Sequence, residues 1–211
     1  MNTDELIRSL TADAARPVVP IGRRLFKALL LGTLLSVVLF LAMLHPRPDI
    51  ARAALTLPFA FKIVVALLLA GTAATLLSSM ARPLPKSGKL VFLVIAPLLL
   101  AAGVAFELST VPSAAWHARL IGHNAIHCLS LIPLLSIAPA ACMLFALRRG
   151  APARPALAGA VAGLAASGFG AALYALTCPD DSPLFVAAWY SIAIAIVTAA
   201  SAWIGSRTLR W

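Results

Sequence analysis

The chain has 211 residues, of which 62% are hydrophobic and 11% charged, and its mean hydropathy is +0.97. An ordinary soluble domain carries roughly 25% charged residues and less than about half apolar ones, so this composition excludes one; at about 20 residues per span it supplies about six membrane-crossing helices. The net charge of +10 would point to nucleic acid in a soluble protein, but here the placement of the charges decides their meaning.

Residues 1–23 are mostly polar. Thr3 can cap a first turn that carries Asp4 and Glu5, with Leu6, Ile7 and Leu10 following on one face and Pro17 and Pro20 closing the segment. A helix of about a dozen residues is marginal alone in water. The segment is therefore expected either to fold on a partner or the membrane surface, or to remain a frayed tail that carries positive charge. Its length sets it apart from a cleaved leader, so the first apolar run is expected to stay in the mature chain.

Apolar runs follow at approximately 25–44, 57–79, 90–108, 126–147, 156–176 and 184–205, separated by breaks rich in Pro and charge. They do not alternate as barrel strands do. The expected fold is an all-α integral membrane protein, a six-transmembrane-helix bundle over 24–205, with 206–211 as a short tail. If the N-terminus is cytoplasmic, 13 of the 17 Lys and Arg fall on inside segments, while Arg47, Arg52 and Arg119 lie outside and Lys62 lies in a span. That asymmetry predicts both termini in the cytoplasm. It turns most of the basic excess into a topology signal and weakens the case for nucleic acid.

Within the second run, Lys62 is expected to snorkel or to pair with an acid in a structural role, Glu107 being the candidate partner. In the fifth, Gly159 and Gly163, continued by Ser167, Gly168 and Gly170, form a small-residue stripe suited to close helix packing. Phosphate-binding, dinucleotide-binding, zinc-protease and serine-elbow motifs are missing, and the spans carry no midplane acids for a proton relay. The chain is not expected to be an enzyme.

On the predicted topology Cys128 opens the fourth span and Cys178 lies in the hairpin after the fifth, on the same outer side. Cys142 falls about 21 Å from Cys128 along the helix axis. His117, His123 and His127 and the pair Asp180 and Asp181 cluster around the two outer cysteines. Thiolates beside imidazoles and carboxylates suit thiophilic or borderline metals, so Cys128, Cys178, His123, His127, Asp180 and Asp181 are candidate ligands, although their spacing matches no closed zinc motif. Three readings stay open on chemistry alone: a structural cysteine pair, a redox or metal sensor, and an oxidoreductase, against which the lack of a CxxC motif counts. Pro179 and Pro183 stiffen the hairpin, and the adjacent aspartates are expected to raise the Cys178 thiol pKa by like-charge repulsion.

The string LTCPDDSPLFVAAWY at 176–190 resembles the signature of the NrsF family, multipass membrane anti-sigma factors that restrain an ECF sigma factor of the sigma-F type in proteobacteria. TDELIRSLTADAAR at 3–16, FAFKIVVALLLA at 59–70 and HCLSLIPLLSIAP at 127–139 are similar to that family as well. The resemblance implies six spans in the bacterial inner membrane and a cytoplasmic N-terminal segment that holds the sigma factor. Within that segment Asp4, Glu5, Leu6, Ile7 and Leu10 are the candidate contacts. It also implies that Cys128 and Cys178 sense heavy-metal or oxidative stress. No cofactor is then required beyond transient binding of a thiophilic metal ion, and no direct contact with nucleic acid is implied. A small transporter or a quinone-linked thiol oxidoreductase is the alternative.

Overall fold

The computed structural model describes residues 3–5, 7, 20–80, 87–150 and 152–209; among these it contains helices and turns but no strand. Six long helices carry the fold: α1 (Ile21–Met43), α2 (Leu57–Met80), α3 (Val91–Thr110), α4 (Ala125–Leu147), α5 (Pro155–Ala175) and α6 (Pro183–Thr208). Each is long and apolar enough to cross a membrane, and each coincides with one of the six apolar runs, with ends shifted by at most four residues. The largest shift is at the start of α1. Pro20, extended at ψ 134°, accepts hydrogen bonds from the Arg23 and Arg24 amides, so residues 21–23 of the expected 1–23 segment belong to the first turn of the helix, with Arg24 and Lys27 following in its first two turns. Of that segment, Asp4, Glu5 and Ile7 are helical, while Leu6 and Leu10 lie outside the described residues.

α5 occupies the centre, packed by α2, α4 and α6. Its small side chains make this possible: 13 of its 21 residues are buried, among them Gly159, Gly163, Gly168 and Gly170. A Cβ at Gly159 would overlap the Ser201 carbonyl oxygen, and one at Gly163 would meet the Ser201 side chain at 2.6 Å, so this part of the expected small-residue stripe is where α5 and α6 come closest, while Gly168 faces Ala70 of α2 and Gly170 faces Ser136 of α4. α1 lies on α4 by a second device. Pro139, inside α4, has no N–H to give to the carbonyl of Leu135. Ser36 Oγ of α1 donates to that oxygen instead, at 2.6 Å, and Gly32 seats against the Pro139 ring one turn away.

Two apolar clusters fill the interior. One, at the end where α4 stops and α5 starts, is built on Leu77, Met143, Leu147 and Ala162. The other, at the end where α5 hands over to α6, contains Phe40, Ile132, Tyr174, Phe185 and Tyr190 together with both Cys128 and Cys178. The perimeter is apolar too: Phe26, Leu34, Leu41, Leu98, Phe106, Ile137, Phe145 and Trp203 are all more than half exposed. Apolar area on that scale suits contact with lipid tails.

Candidate functional site

The hairpin 176–182 joins α5 to α6, and its own backbone begins the site. The Cys178 amide donates to the Tyr174 carbonyl, so the chain leaves α5 in a tight turn that faces the Cys178 side chain inward. Cys178 is 1% exposed and Cys128, in the first turn of α4, is 0% exposed. Both are free thiols in the same apolar cluster, with the Tyr174 hydroxyl beside both sulfurs. A π-type turn at Val186–Tyr190 in α6 brings residues five apart towards one face, so Phe185, Val186 and Tyr190 all point into this cluster. Tyr190 packs on Tyr174 with ring centroids 5.9 Å apart, and its hydroxyl is buried without a hydrogen bond.

Most residues of the hairpin are tied to other parts of the bundle. The Cys178 carbonyl accepts from Lys62 Nζ of α2 at 2.7 Å, and Lys62 Nζ also pairs with Asp181 Oδ1. Asp181 Oδ2 accepts from Arg47 Nη1 at 2.9 Å, while Arg47 makes a two-pronged bond to Asp49. The Asp180 carboxylate accepts three bonds, from the His123 and Asn124 amides and from Asn124 Nδ2, and so satisfies the amides that open α4. Ser182 Oγ and the Leu184 amide both donate to Glu107 of α3, which also receives Arg119 Nη1 at 2.8 Å. Thr177 Oγ1 donates to the His45 carbonyl at 2.6 Å. Six residues outside it, His45, Arg47, Lys62, Glu107, His123 and Asn124, therefore bond the hairpin and the start of α6.

This geometry corrects the expected partner of Lys62. It pairs with Asp181 and not with Glu107, because Glu107 is committed to Arg119, Ser182 and Leu184. Nor does Lys62 snorkel to water: it is 0% exposed, roofed by the hairpin, with Phe59 under its ammonium at 5.3 Å. The Cys178 thiol pKa is raised, as expected, but burial is the main cause. Lys62 and the Asp180 amide oppose the rise, and the Asp180 charge adds to it only as a smaller contribution.

The candidate metal set is not assembled. No group of three or more His, Cys, Asp and Glu able to hold a metal ion occurs among the described residues. His127 points outward, one residue before Cys128 and so about 100° away around α4, the His123 side chain is 94% exposed, and Asp180 and Asp181 are occupied by protein donors. What is brought together is narrower: two buried thiols, two tyrosines and, over them, a network of charged side chains.

A model of the family described as "Negative regulator of sigma F", NrsF, matches residues 10–211 of this chain. The chain belongs to the NrsF family. It is 34% identical to the anti-sigma-F factor NrsF of Caulobacter vibrioides and 30% identical to the probable anti-sigma-F factor NrsF of Azospira oryzae, in both cases over all of each chain. No solved structure matches it.

For this NrsF-family chain, sequence reasoning missed several residues that the structure puts in the site. From the sequence Arg47 reads only as an outer-loop charge and Tyr190 only as the end of the 176–190 string, and Tyr174 is not singled out. The signal for Arg47 was present: every acid of residues 20–209 lies at the hairpin end, so a basic residue in a loop at that end has carboxylates to meet. The signal for the tyrosines was the amphipathic phenol itself, which when buried seeks a polar neighbour.

Proposed function

We propose that this chain is an anti-sigma factor of the bacterial inner membrane. Its six helices cross the bilayer with both termini in the cytoplasm, which places the hairpin end outside and the Arg-rich end inside. The N-terminal segment, through Leu6, Ile7 and Leu10 with Asp4 and Glu5 at its start, binds an ECF sigma factor and keeps it from RNA polymerase. A segment this short has no core of its own and gains its order on the partner. The chain regulates and does not catalyse.

In this reading Cys128 and Cys178 are the sensor. Oxidation, or capture of a thiophilic metal ion as the stimulus, acts on two thiols sealed in one packed cluster. The observation that carries the proposal is that the Cys178 carbonyl and the two residues after Pro179 hold α2, α4 and the loop after α1 in place. A change at the thiol must shift that lattice. Because packed helices switch between discrete arrangements, the shift reaches the far end of the bundle, where the sigma factor is released.

The experiment is a sigma-dependent promoter reporter combined with co-purification of the detergent-solubilised protein, before and after cadmium or oxidant. The sigma factor should co-purify at rest and be lost after stress. Cys128→Ser and Cys178→Ser should each abolish the response, and Leu6→Asp with Leu10→Asp should switch the promoter on without stress. A normal response from both cysteine variants rejects the sensor. Continued repression by the tail variant rejects the tail as the contact.

A further inference from the structure

A groove runs along the face between α4 and α6, with a cavity volume of about 430 Å³. Its walls are apolar, from Pro133 and Ile137 to Phe145 on α4 and from Ile196 to Ile204 on α6, and it ends at Arg148 and Thr208. Arg148 is exposed, and its guanidinium has no carboxylate or hydrogen-bond partner among the described residues. Arg149, Arg154 and Arg207 stand at the same end, while all the acids of residues 20–209 lie at the other.

Length identifies the occupant. From Pro133 to Arg148 is about 22 Å of helix at about 1.5 Å per residue, and one leaflet including its headgroup layer is about 20–22 Å thick, half of the bilayer's 40–45 Å. An apolar channel one leaflet long that ends in an unpartnered guanidinium matches one acyl chain with its phosphate. A second groove, of about 450 Å³ and lined by residues of α2, α3 and α6, lacks this feature: its one charged lining residue, Lys62, is taken by Asp181.

We propose that the α4–α6 groove is a binding site for an anionic phospholipid, with one acyl chain between the two helices and the phosphate on Arg148. The site rests on the membrane-spanning reading given above and not on the sigma factor or the cysteines. An occupied groove wedges between α4 and α6 at that end, so lipid composition would bias the packing of the helix that carries Cys128.

The test is native mass spectrometry of the full-length, detergent-solubilised protein with equimolar dioleoylphosphatidylglycerol and dioleoylphosphatidylcholine. One phosphatidylglycerol should be retained in several-fold excess. Arg148→Gln should bring the ratio close to one, whereas Arg149→Gln, outside the groove, should preserve it. Ala200→Phe, which fills the groove from an exposed position, should lower retention of both lipids, and a photoreactive phosphatidylglycerol should cross-link to α4 and α6. Equal retention by the unaltered protein, a preference that survives Arg148→Gln, cross-links elsewhere, or full competition by the headgroup glycerophosphoglycerol alone would each overturn the site. Recovery of the chain in the soluble fraction of lysed cells would overturn the membrane reading and the groove with it. A membrane-inserted chain that retains both lipids equally overturns the groove alone.

Discussion

The Nζ of Lys62, in α2, lies 2.7 Å from the backbone carbonyl oxygen of Cys178, 116 residues away. A fully buried ammonium in an apolar bundle is tolerable only with its partners in place, and here they are that carbonyl and Asp181. Lys62→Met removes the charge at similar length and leaves Asp181 with Arg47 alone. Breaking a buried pair from one side costs about 3–5 kcal/mol, and the surviving Arg47 bond puts the expected loss at the lower end. Thermal unfolding in detergent should show it. Adding Asp181→Asn should cost much less than it does in the unaltered protein; strict additivity would show that the pair is not coupled.

The Cys178 thiol should react slowly at neutral pH. Its pKa lies above the ordinary thiol value because burial disfavours the thiolate. Alkylation by iodoacetamide, followed on the Cys178 peptide by mass spectrometry, should therefore rise only at a pH above that of a thiol in an unfolded control. The same shift has a linked effect on stability. The group is neutral in both states at low pH, so its contribution is fully present below about pH 8.5, the unfolded thiol value. It is lost as pH rises from there through the folded value, since the unfolded chain ionises first.

Asp180 should matter through the start of α4. Asp180→Ala leaves the His123 and Asn124 amides and the Asn124 side chain without their shared acceptor. The expected cost is about 1–3 kcal/mol. Hydrogen exchange at residues 123–128 should speed up, with the middle of α4 unchanged. Uniform acceleration along the helix would count against a local capping role.

Gly159→Ala and Gly71→Ala should behave oppositely. A methyl group at Gly159 meets the Ser201 carbonyl and, at 3.0 Å, the Gly205 Cα, so α5 and α6 must separate, at a cost of about 1–3 kcal/mol. At Gly71 nothing lies within 4 Å. There the change should be neutral or stabilising by up to about 1 kcal/mol through helix propensity. Melting temperatures of the two variants, compared side by side, check both.

The number of the long apolar helices, and their limits to within four residues, were legible because they depend on local composition: a run of about 20 apolar residues bounded by Pro and charge reads as a helix whatever it packs against. The Gly159 and Gly163 contact was legible for a similar reason, since small residues one turn apart make a flat helix face. Lys62 was visible as an anomaly, but its partner was not. Four acids, Asp49, Glu107, Asp180 and Asp181, share its end of the bundle, and only the crossing of α2 beneath the hairpin selects Asp181. Ser36 was similarly silent. Pro139 announces a missing donor to Leu135, but which neighbouring helix supplies the replacement depends on how α1 crosses α4.

For the candidate site, the residues alone determined that Cys128 and Cys178 lie at one end, because the order of the long helices is a property of the chain, and that Pro179 and Pro183 bracket the hairpin. Tertiary packing decided the rest. It turned both thiols into the core while leaving His123 and His127 outside, and it spent Asp180 on a helix start and Asp181 on two cations. The reason is desolvation: a carboxylate or an ammonium close to an apolar interior must find its opposite number, and only the three-dimensional arrangement says which one is within reach.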